Sequence, residues 1–197
     1  MVSDLFGLWA YRREFDARNL IILIPASFIG IAIGWALATV VSEAAVTLLI
    51  GAMGVAFCID RWVRRHDTAE RKADVGRGLF WGLLTGFTSF VSHSGAPPYQ
   101  VYVLPQRLRK MVYAGTTTIL FAAVNAAKLI PYYALGQLSA ANLKMAAILF
   151  PAAIAATFAG VKLTRIIPER PFFIAVQLAL FAVSLKLCVD GVRGLIF

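Results

Sequence analysis

The sequence predicts an all-α polytopic membrane protein, built as an inverted-repeat helical bundle with a broken re-entrant helix hairpin. Its 197 residues are 60% hydrophobic and only 15% charged, with a mean hydropathy of +0.77, whereas soluble domains average about 45–50% apolar and 25% charged residues. The charged residues lie in short runs between long uncharged stretches, as in multi-span proteins. The net charge of +9 is therefore not gathered on one solvated face, which argues against a nucleic-acid-binding domain.

The first part of the chain predicts two spans and a charged loop. A helix needs about 20 apolar residues to cross a bilayer. Residues 19–42 are uncharged and long enough, and residues 44–59 form a shorter uncharged stretch that Asp60 ends. We interpret residues 1–60 as the remainder of a first repeat, and residues 61–77, which hold six Lys and Arg residues, as a cytoplasmic charged loop.

Residues 78–197 predict a second repeat that begins with a broken hairpin at 78–105. This stretch is too long for one span, and its centre reads Ser-His-Ser-Gly-Ala-Pro-Pro at 92–98. A Pro-Pro pair stops a helix, and irregular backbone at membrane depth must be buried or line a cavity. We expect Ser94 to cap a short second helix starting at Pro97, and further spans at about 111–136, 142–161 and 171–190.

The distribution of Lys and Arg predicts the topology. If the hairpin enters and leaves on one side, then the N-terminal segment and the loops at 60–77, 105–110 and 162–171 share that side. They hold three, six, three and three basic residues, fifteen of the 19 in the chain. If residues 78–105 cross the membrane once, the two sides hold eleven and six basic residues. The positive-inside rule favours the first arrangement, with a cytoplasmic N-terminus and a C-terminus outside.

A short repeat supports the two-part organisation. Ile-Leu-x-Pro-Ala occurs at 22–26 and again at 148–152, and at the same offset of 126 residues Gly34 falls on Gly160. In the predicted topology the two copies run in opposite directions, which is the plan of many secondary transporters. The second copy follows a hairpin and a span, but the first follows only 18 residues. We expect the chain to be N-terminally truncated, or to be a short variant that oligomerises.

Several motifs carry a family resemblance. Gly-Leu-Leu-Thr-Gly-Phe at 82–87, the break at 92–98, Leu104-Pro105 and Gly-Thr-Thr at 115–117 followed by Asn125 resemble the sulfite exporter TauE/SafE family, without the N-terminal part of the first repeat. The resemblance implies a permease for small anions, such as sulfite or organosulfonates, in a bacterial plasma membrane. Gly95-Ala96 stands where family members commonly have two glycines.

The break itself is the first candidate site. A helix N-terminus offers unpaired N–H groups to an anion, here those of Ser94, Gly95 and Ala96, with the hydroxyls of Ser92 and Ser94. The alternative is a kink satisfied by neighbouring helices. His93 either donates to an anion, exchanges a coupled proton, or makes a structural hydrogen bond.

The span after the break adds further candidates. Lys128 within a span either attracts an anion or extends towards the interface, and Asn125 can share its face. Threonine hydroxyls often bond their own backbone, which weakens the case for Thr117. The predicted substrate-binding residues are Ser92, His93, Ser94, Gly95, Ala96, Thr117, Asn125 and Lys128.

Two other spacings predict contacts of helices, one between helices and one within a helix. Gly78, Gly82 and Gly86 recur every four residues, which is typical of close helix–helix contact. Lys186 and Asp190 are four residues apart and are expected to pair.

These features predict an anion permease that works by alternating access in the lipid bilayer. The alternative is a channel-like or non-transporting subunit that needs a homo-oligomer to complete its site. We expect no cofactor and no metal, while coupling to protons or another ion stays open. An enzyme is disfavoured, because Ser92 and Ser94 flank His93 and cannot converge on it as a dyad requires, and no His-Glu-x-x-His motif occurs.

Overall fold

The computed structural model describes residues 2–63, 71–135 and 140–196, with side chains over 4–63, 71–135 and 150–196. Throughout these residues the regular structure is helical: α1 Val2–Tyr11, α2 Ala17–Ala36, α3 Glu43–Val63, α4 Val75–Val91, α5 Ala96–Val103, a 3-10 turn at Leu104–Gln106, α6 Lys110–Ala134, α7 Ala140–Ile166 and α8 Glu169–Ile196.

The prediction of an all-α membrane protein is confirmed. By length and composition, three of the described helices can cross a membrane, namely α2, α3 and α8. Helix α6 is long enough but less apolar, because it carries three consecutive threonines, Asn125 and Lys128. The exposed large hydrophobic side chains on α8, such as Leu178 and Val183, suit a lipid-facing surface.

The helix bounds differ from the predicted spans at several ends. Helix α2 ends at Ala36, whereas α3 continues past Asp60 to Val63, because charged residues are tolerated once a helix leaves the apolar layer. The predicted loop at 61–77 is therefore helical at both ends. Asp74 caps α4 by accepting a hydrogen bond from the Arg77 amide at 2.8 Å. Residues 64–70 of this loop, and residue 136 at the end of a predicted span, lie outside the described residues.

Helix α1 was not predicted, because ten residues are too few to give a span-length apolar run. It packs along α6 and α7. The rings of Phe6 and Phe158 lie 5.3 Å apart, and a Cβ added to Gly7 would be 2.7 Å from the Thr118 side chain. The N-terminal segment is thus part of the helical bundle.

The glycine-rich face of α4 packs on α2, as predicted. A Cβ added to Gly86 would overlap the Ser27 carbonyl, and one added to Gly78 would lie 2.6 Å from the Ile22 side chain. The Ser27 hydroxyl donates to the Gly82 carbonyl at 2.9 Å. Successive contacts advance in the same direction along both helices, so α2 and α4 are parallel and nearly in backbone contact.

Helices α3 and α8 form a second close pair. A Cβ added to Gly51 would lie 2.6 Å from the Cys188 amide, and one added to Gly191 would lie 2.6 Å from the Leu48 amide. The contact positions rise along α3 as they fall along α8, so the pair is antiparallel. This pairing brings the beginning of α3 next to the end of α8.

Helices α2 and α7, which carry the repeated motif, run in opposite directions. Helix α6 is parallel to α2, since the Asp16 amide donates to the Thr116 hydroxyl at 2.9 Å and Lys128 reaches the far end of α4. Helix α7 returns alongside α6, because the Lys110 ammonium donates to the Arg165 carbonyl at 3.0 Å. The division of the chain into two repeats stays a prediction.

The two copies of the repeat differ in what covers them. A Cβ added to Gly34 would lie 3.1 Å from the Phe90 ring, whereas one added to its counterpart Gly160 meets no described atom within 4 Å. The α4 hairpin therefore covers α2 but not the corresponding face of α7.

Candidate functional site

The predicted break lies between α4 and α5. Helix α4 ends at Val91 and α5 begins at Ala96, and the packing of Phe90 on Gly34 places the break level with the last turn of α2. The chain then returns through α5 and the 3-10 turn to Arg107, whose φ is 51°. A helix break is therefore present at the predicted position.

Ser94 does not cap α5, so that prediction is wrong. The N-cap residue is Gly95, without a side-chain capping bond, and the Ser94 hydroxyl donates instead to the Ser92 carbonyl at 2.8 Å. A capping side chain accepts from the second or third amide of a helix. In α5 those positions are Pro97 and Pro98, which have no N–H.

Thr88 holds the break together. Its carbonyl accepts from the amides of Ser92 and Ser94 at 3.0 and 3.2 Å and from the Ser92 hydroxyl at 3.2 Å. Its own hydroxyl donates to the Ser94 carbonyl at 3.2 Å. Both serine hydroxyls and the Ser94 amide, which the sequence suggested as anion donors, are thus engaged within the break in this structure.

Glycine is needed at position 95 because a larger side chain would not fit, and not because of the backbone dihedral. Its φ is −74°, but an added Cβ would lie 2.8 Å from the Ser89 Cβ and 2.9 Å from the Thr85 carbonyl. Ala96, which follows it, is the first residue of α5 and is half-buried. The break is therefore pressed against the last two turns of α4.

His93 has a left-handed backbone conformation, which the sequence does not predict. Its φ is 53°, which is unfavourable for a residue with a Cβ. The side chain is exposed, and its Nδ1 lies 3.4 Å from the Tyr132 hydroxyl on α6.

Lys128 is buried and points to the break. Its side chain is on α6, the residue is 6% exposed, and its Nζ donates to the Ser89 carbonyl at 3.2 Å and the Ser89 hydroxyl at 3.0 Å. Ser89 lies in the last turn of α4, where unpaired carbonyls carry partial negative charge. The ammonium is therefore held by α4 and does not extend towards an interface.

The other two predicted residues on α6 are placed differently. Asn125 is half-buried one turn before Lys128. Thr117 lies eleven residues from Lys128, about 16 Å along the helix axis. Its hydroxyl donates to the Tyr113 carbonyl at 2.7 Å and bonds the Tyr99 hydroxyl at 2.8 Å. Thr117 also lines a cavity of about 330 Å³ between α1, α6 and α7, so the structure does not bring it to the break.

A larger cavity, the break cavity, lies where the break meets the start of α3 and the end of α8. Its volume is about 640 Å³, and its polar lining comes from Ser92 and Ser94 of the break, Ser42, Glu43 and Thr47 of the α3 region, and Lys186 and Asp190 of α8. The predicted Lys186–Asp190 pair is confirmed. The sequence did not place these two residues beside the break, because that proximity depends on the packing of α8 against α3.

Within the described residues, no cluster of three or more His, Cys, Asp or Glu side chains is placed to hold a metal ion. Beside the carboxylates of Glu43 and Asp190, the polar groups at the break are hydroxyls, backbone amides and ammonium groups, which can donate hydrogen bonds to an anion.

The sequence model of the sulfite exporter TauE/SafE family matches residues 1–187 of the chain. The chain belongs to this family. Searches of curated proteins and of solved structures return no significant match. The resemblance carried by the glycine helix and the break is thus confirmed, and it identifies a TauE/SafE protein, from a family of membrane transporters.

Proposed function

We propose that this TauE/SafE protein is a permease that moves a small sulfur-containing anion, sulfite or an organosulfonate, across the bacterial plasma membrane by alternating access. The observation that carries the proposal is the buried ammonium of Lys128 beside the helix break. An ionisable group inside a membrane bundle is costly and commonly marks a substrate pathway.

Lys128 has the right hydrogen-bonding capacity for this role. An ammonium group has three N–H donors, and the two bonds to Ser89 use two of them. The third can bond an anion oxygen. Asn125, one turn away on α6, can supply an amide donor from the same helix.

The break supplies adjustable donors. The Ser92 hydroxyl donates to the Thr88 carbonyl in the last turn of α4, and the Ser94 hydroxyl donates to the Ser92 carbonyl just beyond it. Rotation about χ1 can redirect each proton to an anion. The amides of Gly95 and Ala96 add to these donors. His93, exposed beside Tyr132, is the proposed site of a proton exchanged during transport, because an imidazole nitrogen can both accept and donate a proton.

The basic residues set the proposed orientation. With Arg12, Arg13 and Arg18 and the 60–77, 105–110 and 162–171 loops in the cytoplasm, the break cavity faces outside. Alternating access then requires the α4–α5 hairpin to close this cavity and to open a path from Lys128 towards the cytoplasm.

The proposal is tested with purified protein in proteoliposomes that report sulfite flux. Lys128→Met should abolish flux, because the side chain keeps its length and loses its donors. Lys162→Met, at an exposed position on α7, is the matched control and should retain flux. Full sulfite flux in the Lys128→Met protein would contradict the proposal.

The same vesicles distinguish a carrier from the channel-like alternative. A carrier saturates with sulfite and is accelerated by sulfite on the opposite side, whereas a channel shows neither property and conducts current. Measuring the protein's mass in detergent alongside flux shows whether activity requires a homo-oligomer.

A further inference from the structure

We infer that Lys186 is an anion-binding residue of the break cavity, and that Asp190 is an internal counter-anion that the substrate displaces from it. The inference rests on the proposed function and concerns how an anion enters and leaves the site. It goes beyond the expected structural pair, because both side chains line the same cavity as the serines of the break.

The charges around the cavity lead to this assignment. Lys186 is the cation among its lining residues, and Glu43 and Asp190 are the carboxylates. Bonded to Asp190, the ammonium of Lys186 is neutralised, and the remaining charge of Glu43 repels an anion. Released from Asp190, Lys186 attracts one. The pair therefore determines whether the Lys186 ammonium is available to an anion.

The pair is exposed enough to exchange partners. The side chain of Lys186 is 74% exposed and that of Asp190 is 41% exposed. Exposed ion pairs contribute little free energy, so a sulfite oxygen can replace the carboxylate without a large cost. Asp190 can then turn towards solvent.

The two serines of the break do not offer their protons to the cavity in this structure. The hydroxyls of Ser92 and Ser94 face it while donating to backbone carbonyls, so their oxygens present lone pairs to an incoming ligand. Lys186 is thus the charged donor that can bind an anion before these serine hydroxyls rotate.

The experiment measures the half-saturating sulfite concentration for flux and the sulfite dissociation constant in detergent by calorimetry, at low ionic strength. Asp190→Asn should lower both by about two- to fivefold, the range an exposed ion pair supports. Lys186→Gln should raise both. Asp190→Asn on the Lys186→Gln background should lower both no more than Glu43→Gln does, because no ammonium remains to be released and only the loss of one negative charge acts.

Glu43→Gln is the matched control, since it removes one negative charge from the same cavity. It should shift both constants less than Asp190→Asn does. Equal shifts from the two neutralisations in the wild-type background would overturn the inference, and so would an Asp190→Asn shift in the double variant as large as the shift in the presence of Lys186. Raising the salt to about 1 M should reduce the Asp190→Asn shift, because it screens exposed charges.

The same measurements separate this inference from the proposed function. A wild-type protein that binds sulfite without moving it contradicts the permease, and the binding constants of the variants still decide the role of Lys186. A wild-type protein that neither binds nor moves sulfite overturns both.

Discussion

Lys128 on α6 donates two hydrogen bonds to a single residue of α4, Ser89, through its carbonyl at 3.2 Å and its hydroxyl at 3.0 Å. The two residues are 39 positions apart in the chain. The contact joins α6 to the last turn of α4, just before the break. It therefore holds the Lys128 ammonium next to the irregular backbone.

This geometry predicts effects of different size for two substitutions. The Asp4 carboxylate on α1 interacts electrostatically with Lys128, so both substitutions are made on an Asp4→Asn background. There Lys128→Met removes a buried charge together with its bonds, and the free energy of unfolding should change by less than about 1 kcal/mol. Ser89→Ala leaves the charge buried with one partner fewer and should cost about 1.5–3 kcal/mol. Denaturant unfolding in detergent micelles measures both. A larger loss for Lys128→Met than for Ser89→Ala would contradict the interpretation.

The α2–α4 contact predicts a strong effect of a single methyl group. Gly86→Ala places a Cβ onto the Ser27 carbonyl and should lower the free energy of unfolding by at least about 2 kcal/mol, because backbone must move. Gly160→Ala is the control: its Cβ meets no described atom within 4 Å, and it should stabilise α7 by up to about 1 kcal/mol. Equal thermal midpoints for the two variants would rule out this contact.

These results show which parts of the fold the sequence could predict. The spacing of Gly78, Gly82 and Gly86 requires a close neighbour on one face, and Pro97-Pro98 requires a helix to stop, so both features follow from local rules. Helix α1 could not be predicted, since its ten residues are held by contacts with α6 and α7, such as that of Gly7 with Thr118.

The site was less predictable than the fold, because it also depends on contacts between residues that are distant in the chain. Ser92, Ser94 and Gly95 share the break by sequence proximity, but the partner of Lys128 is 39 residues away and nothing in the local pattern selects Ser89. The prediction that Ser94 caps α5 took Pro97 and Pro98 as helix stops and as residues that offer an anion no N–H. Their missing amides also remove the groups that a cap would bond.

The left-handed backbone of His93 predicts a separation of stability from transport. His93→Gly relieves a conformation that costs about 1–2 kcal/mol for a residue with a Cβ, so the thermal midpoint should not fall, while sulfite flux should decrease if the imidazole exchanges a proton. His93→Val keeps a Cβ and adds branching, and should lower the midpoint. Unchanged flux in His93→Gly would remove His93 from the transport mechanism.

Asn19 and Gln106 form a buried reciprocal amide pair, with bonds of 2.8 and 3.1 Å, that ties the start of α2 to the turn after α5. Asn19→Ala should cost about 1–3 kcal/mol, because it leaves a buried amide without its partner, and Gln106→Ala should cost a similar amount. The double variant should cost less than the two single losses combined, by about 1 kcal/mol or more. Strict additivity in a double-mutant cycle would show that the two amides do not stabilise each other.

The amide pair has a mechanical consequence for the hairpin. Helix α5 and the 3-10 turn span about 18 Å between this anchor and the break. Gln106 fixes one end of this segment, and the other end is the break, which Thr88 bonds and the last two turns of α4 contact. A tilt of about ten degrees at the anchor carries Ser94 through about 3 Å, roughly the length of one hydrogen bond. A rotation of that size at one end of the hairpin would therefore be enough to break the bonds between Thr88 and Ser94 at the other.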